Sequence, residues 1–240
     1  MQKLQIGLVI SLCSIGLACA GTGHRTGQGF DLYIVRHAET MANVTKEYTD
    51  ENQSRFSPKG QAEVRELVQQ LGAEKIDRVL VSPAVRTLKT IAPYLEQQTK
   101  QAEVWPELEE CCWQDARGVG RINELPRGAR VEIDEAIEPL FQFRSEDRSH
   151  WYDARTIEES DFVVSLAVEV LKQRFSHSGQ KVVLISHFNV GQKLIGALTG
   201  QGNGSTVILE TGKITHLRQD RDGLFRIVKL NGEPLSLATP

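Results

Sequence analysis

Residues 30–40 read FDLYIVRHAET: a short apolar run, Phe30 to Val35, stops abruptly at a basic dyad, Arg36-His37. The run is too short for a buried helix. It is continuous rather than alternating, as in a strand covered on both faces of a parallel sheet. Two later stretches repeat the pattern. Arg78-Val79-Leu80-Val81 runs into Ser82-Pro83-Ala84-Val85-Arg86, and Lys181 to Ser186 runs into His187. Helical patterns separate these strands. Ser57-Pro58 supplies an N-cap and a proline for the first turn, and Ala62, Val64, Leu67, Val68 and Leu71 form a stripe that ends at Gly72. Ser82-Pro83 is expected to open a second helix to about Leu95, and further helices are expected over 157–175 and 189–198. Val104-Trp105 is expected to begin a third strand. Thr206 to Glu210, Ile214 to Arg218 and Phe225 to Leu230 read as strands of the tail, with a hairpin turn at Asp222-Gly223. This alternation predicts an α/β three-layer sandwich: a mostly parallel central sheet with an antiparallel edge and helices on both faces.

The flanks of this core read differently. Lys3 precedes an apolar run from Ile6 to Leu17 and the small-residue stretch Ala18-Cys19-Ala20, the layout of a secretory signal over residues 1–20. The run is 12 residues long, short of a membrane-spanning helix, which needs roughly 20. Ala-x-Ala processing before Gly21 and lipid attachment at Cys19, in a loose lipobox, are both open. Either route predicts an exported protein, periplasmic or anchored as a lipoprotein. Residues 21–29, GTGHRTGQG, hold four glycines in nine positions and read as a flexible linker, so the domain is expected over 30–240. Residues 106 to about 156 are charge-rich, are broken by Gly118, Gly120, Pro126, Gly128 and Pro139, and read as an insertion or lid.

Composition narrows the function. The chain of 240 residues has 28 Lys+Arg against 31 Asp+Glu, a net charge of -3. That balance provides no global field for nucleic acid, which is excluded as the leading partner. Four cysteines are present, and outside the leader only the adjacent pair Cys111-Cys112 remains, too few for a disulfide scaffold. These two read as packed thiols or as a strained vicinal pair.

The chemistry gathers at strand ends. In an open α/β sheet, ligands bind in the crevice beyond the carboxyl ends of the strands. Three strands there deliver Arg36, His37, Arg86 and His187. Arginine offers a planar, permanently charged fork of donors, and a neutral histidine can attack phosphorus, so the set suits a phosphate dianion.

The stretch Leu32 to Thr40, with Asn43 six residues past His37, resembles the RHG signature and following Asn of the histidine phosphatase superfamily, the phosphoglycerate mutase-like clan. Ala38 stands for the usual Gly. Phe56 to Ala62, Val81 to Thr87 and Val183 to His187 are similar to its other motifs, with Phe188 in place of a Gly after the late His. The resemblance spans about Leu32 to Leu198 and implies that family's fold. It also implies that His37 takes the phosphoryl group and that Arg36, Asn43, Arg86 and His187 bind its oxygens. It assigns the general acid to a Glu after the third strand. Glu110 fits that position best, with Glu109 and Glu107 as neighbours that leave the register open. No metal and no cofactor are implied.

A phosphatase, a phosphoglycerate mutase-like phosphotransferase and a catalytically silent phospho-ligand binding envelope protein share these residues. Leu108 to Trp113 lacks the mutase-type stretch, export removes a glycolytic role, and a silent member would be expected to lose His37 or an arginine. A phosphomonoesterase is therefore the expectation. Its partner would be a small phosphorylated substrate outside the cytoplasm, with an envelope sugar phosphate as one candidate. Arg117, Arg121, Arg127 and Arg130 either meet that substrate or pair with Glu132, Asp134, Glu135 and Glu138. Trp113 and Trp151 read as core or as a substrate rim. His24, His150, His177 and His216 read as surface or structural residues.

Overall fold

Strand β1 (Asp31–Arg36) carries the opening apolar run, and Leu32 to Val35 are buried. Its side chains alternate between two cores. The computed structural model describes residues 29–110, 128–144, 146, 148–150, 157–201 and 207–235. The expected leader and linker, Cys111, Cys112, Trp113, Trp151 and the arginines 117, 121 and 127 lie outside the described residues.

The other strands are β2 (Arg78–Val81), β3 (Ala102–Val104), β4 (Phe141–Phe143), β5 (Lys181–Ser186), β6 (Ile214–Gln219), β7 (Phe225–Leu230) and β8 (Glu233–Pro234). They form one sheet in the order β4-β3-β2-β5-β1-β6-β7-β8. The pairings from β4 to β1 are parallel and those from β1 to β8 antiparallel, so β1 stands where the direction changes. The expected mixed sheet is observed.

Helices cover both faces. Leu67 and Leu71 of α3 (Pro58–Gly72) and Leu88, Ile91 and Leu95 of α4 (Val85–Gln98) pack against Tyr33, Val35, Val81 and Ile185. On the other face, Val164 and Leu171 of α5 (Ile157–Phe175) and Leu194 and Ile195 of α6 (Phe188–Thr199) meet Leu32, Ile34, Leu80 and Leu184. Cutting one such leucine to alanine costs about 2–5 kcal/mol. The cores thus fix where the carboxyl ends of β1, β2 and β5 lie.

Several elements depart from expectation. Ser57 caps α3 as foreseen, its Oγ accepting from Gly60 N at 3.0 Å, with Pro58 in the first turn. Ala62 is exposed, and Glu63 occupies the buried stripe instead. Helix α4 begins at Val85 with Ala84 as N-cap, because Ser82 Oγ faces His187. Strand β3 ends at Val104, and Trp105 follows it as core. The insertion contributes β4, whose register Ala102↔Phe141 adds a parallel edge. Residues 207–210 are not a strand; Leu209 is buried as core without sheet pairing. Two short helices, α1 (Met41–Thr45) and α2 (Asp50–Ser54), were not foreseen.

Candidate active site

The β1–β5 pairing continues one step past Arg36, where His37 N donates to Ser186 O at 2.9 Å. This pins His37 at the carboxyl edge, 5% exposed. Its Nδ1 lies 2.9 Å from the carbonyl oxygen of Ala38. A carbonyl only accepts, so the proton sits on Nδ1 and the lone pair on Nε2. Nε2 has no hydrogen-bond partner among the described residues. Burial, aided by the charges of Arg86 and Arg36, holds the His37 pKa well below the usual value. The ring is therefore neutral. Ala38 N in turn donates to Thr90 Oγ1 at 3.0 Å, which locks the turn to α4.

Arg36 is held at one corner only. Its Nη1 donates to Leu209 O at 3.0 Å, and its Cζ lies 5.0 Å from the centroid of the Phe188 ring. Its Nε is buried and has no acceptor among the described residues. A buried donor without an acceptor costs about 1–3 kcal/mol. An oxyanion at that position would remove the cost. Burial lowers the Arg36 pKa, while the charges of Glu110 and Glu63 oppose the shift. Glu63 braces the turn from behind: it accepts from Glu39 N at 2.7 Å and from Thr211 Oγ1 at 2.8 Å.

His187 is the N-cap residue of α6 and is fully buried. Arg86 Nη2 lies 3.0 Å from its Nδ1. Guanidinium can only donate, so Nδ1 accepts and the ring proton is on Nε2, which donates to Ser82 Oγ at 2.8 Å. Burial and the charge of Arg86 hold its pKa well below the usual value. The His37 and His187 rings lie edge to face at 5.4 Å. The expected four residues thus converge, but both ring nitrogens of His187 are already engaged.

The three glutamates diverge from a single-turn 3-10 helix, Pro106–Leu108, whose Leu108 carbonyl accepts from Ser186 Oγ at 2.7 Å. Glu107 is buried and paired with Arg144. Glu109 is fully buried, 2.6 Å from His150 Nδ1. Glu110 turns to the start of α6, where it accepts from Val190 N at 3.2 Å and Asn189 N at 3.4 Å. It is the one of the three whose charge acts on Arg36. Asn43 Oδ1 accepts from Thr40 N at 3.0 Å and Thr40 Oγ1 at 3.1 Å, leaving its amide NH2 as a donor. His150 and His216 are buried structural residues, the latter 2.6 Å from Asp31, and His177 is exposed.

Sequence reasoning gave no role to Thr90 or Glu63, and gave Ser82 only the opening of a helix. A carboxylate four residues before Leu67, on the apolar side of α3, was the signal for Glu63. No comparable signal marks Thr90.

Two neutral histidines and two arginines gathered past the carboxyl ends of β1, β2 and β5 form a set suited to a phosphate. The model of the histidine phosphatase superfamily, branch 1, matches residues 32–233, and the chain belongs to that family. None of the curated proteins compared matches it. Among solved structures it is similar to the alpha-ribazole phosphatase of Shigella flexneri, with TM-score 0.58 and 18% identity over 87% of this chain and 100% of that one. The mycobacterial glucosyl-3-phosphoglycerate phosphatase, in complex with VO3, has TM-score 0.57 and 15% identity over 85% and 99%. A mutant phosphoserine phosphatase of Entamoeba histolytica, in complex with phosphoserine, has TM-score 0.54 and 14% identity over 84% and 96%. At these identities the likeness is one of fold.

Proposed function

We propose that this protein is a metal-independent phosphomonoester hydrolase that works through a phosphohistidine on His37. The observation that carries this reading is a neutral His37 with its lone pair on Nε2, next in the chain to Arg36, whose buried Nε has no acceptor among the described residues. A neutral nucleophile and a donor suited to an oxyanion then stand at the end of one strand.

The chemistry balances in two displacements. His37 Nε2 gives its pair to phosphorus, and the ester P–O bond breaks with its pair on the leaving oxygen. Glu110, protonated, supplies the proton to that oxygen. The Nδ1 proton stays bonded to Ala38 O and steadies the charge left on the ring. Water then attacks the phosphohistidine, Glu110 takes a proton from it, and phosphate leaves with His37 restored. Arg36 and Arg86 hold the equatorial oxygens, and the Asn43 amide adds a neutral donor. Arg86 turned to the phosphoryl group frees His187 Nδ1, which can then take a proton and donate as well.

Export belongs to the same proposal. Its support is the leader-like layout of residues 1–20, with Cys19 as the candidate lipid-bearing residue. Fractionation with lipid labelling, comparing wild type with Cys19→Ala, distinguishes an anchored from a freely exported protein.

The activity is tested by phosphate release from an aryl phosphomonoester with chelator present, comparing wild type with His37→Ala. Metal-independent turnover that the substitution abolishes is expected. Turnover that survives it would sink the reading.

A further inference from the structure

Resting on the phosphate-binding reading, we infer that Phe188 is a specificity-determining residue that favours phosphomonoesters carrying a flat apolar group next to the ester oxygen. The residue stands where the family resemblance places glycine, directly after His187 and at the first position of α6. A glycine there would leave open the space beside the phosphate-binding residues; in this chain a ring fills it.

The placement of the ring decides its role. Its centroid lies 5.0 Å from the guanidinium carbon of Arg36, which fits the attraction of a cation for a ring face. Phe188 is half-buried: it packs against the core cluster that includes Leu108 and Leu209 but keeps part of its surface open. The ring thus borders the guanidinium whose Nε lacks an acceptor. An oxyanion on that Nε would bring its ester group beside the ring.

A polyhydroxylated sugar would need hydrogen-bonding groups beside the phosphate. The Phe188 side chain offers none there, whereas its face can cover a ring. An envelope sugar phosphate is therefore disfavoured against a ring-bearing ester.

Affinity for non-hydrolysable phosphonates tests this without turnover. Calorimetry with the full chain compares benzylphosphonate with methylphosphonate. Wild type is expected to bind the benzyl compound about tenfold more tightly. Phe188→Gly is expected to bring the ratio near unity. Phe188→Leu keeps the core contact if the glycine variant fails to fold, and its ratio is expected to fall to about threefold. A wild-type ratio near unity overturns the inference. So does an equal loss of both affinities in the variants, which would make Phe188 only a prop for Arg36. Binding of neither phosphonate would overturn the phosphate pocket and this inference together, while selective binding without hydrolysis would contradict only the hydrolase reading.

Discussion

Arg86 Nη2 and His187 Nδ1 meet at 3.0 Å although 101 positions separate them in the chain. Ser82 Oγ closes the other side of the imidazole at 2.8 Å. The two residues hold each other in place. On the proposed function a phosphoryl dianion would compete with the imidazole for the guanidinium.

Residues that act as a unit respond non-additively to substitution. Arg86→Gln and His187→Gln are each expected to lower kcat/KM roughly 100-fold or more. The double variant should lose less than about tenfold beyond the worse single one. Full multiplication of the two losses in a double-mutant cycle would show that they act independently.

Glu110 lies at the start of α6, where it accepts from Asn189 N and Val190 N. As a general acid it matters most where the leaving oxygen is most basic. Glu110→Gln is expected to slow an alkyl phosphate roughly 100-fold or more, and a nitrophenyl phosphate less than about tenfold. Equal losses on both esters would remove the acid role. Glu109→Gln should not reproduce the split, because that carboxylate is buried against His150.

The two active-site histidines set a pH dependence of stability. Both have folded pKa values well below 6.5, chiefly through burial. Unfolding raises them to the ordinary value, so below pH 6.5 the unfolded chain binds more protons than the folded one. Their contribution is complete above pH 6.5 and is lost as pH falls toward the depressed folded values. The melting temperature should therefore fall as pH is lowered below 6.5, and vanadate should offset part of the fall. His37→Gln should weaken this dependence; an unchanged profile would contradict the neutral-histidine assignment.

Gly60 tests the bracing of the turn after His37. A Cβ there would lie 2.0 Å from the carbonyl oxygen of Glu39, a backbone atom that cannot rotate away. Gly60→Ala is expected to destabilise the fold by about 3 kcal/mol, seen as a lower denaturant midpoint. It should also weaken oxyanion binding, because Asn43 lies just beyond the displaced turn.

Much of this molecule was legible because its strands are buried on both faces. Continuous runs at Leu32 to Val35 and Val182 to Ile185 announce themselves, and the polar residues that follow them, Arg36-His37 and Ser186-His187, fall at the carboxyl edge of the sheet by construction. Strand β4 was hidden because it has three residues and follows Pro139 in charged surroundings. The helices α1 and α2 have five residues each, too few to display a period. Residues 207–210 were misread because Leu209 is apolar for core packing while its carbonyl holds Arg36. Of the three glutamates, composition could not say which faces Arg36. That depends on Ser186 gripping the Leu108 carbonyl across 78 positions.

The central claim is that the phosphoryl group passes through His37 Nε2. Rapid mixing with a phosphomonoester, an alkaline denaturing quench and peptide mapping test it most directly. A phosphoryl group on His37, formed and lost at rates that match turnover and absent from His37→Ala, is the predicted result. Turnover with no phosphorylated His37, or a phosphoryl group on another residue, would contradict the account.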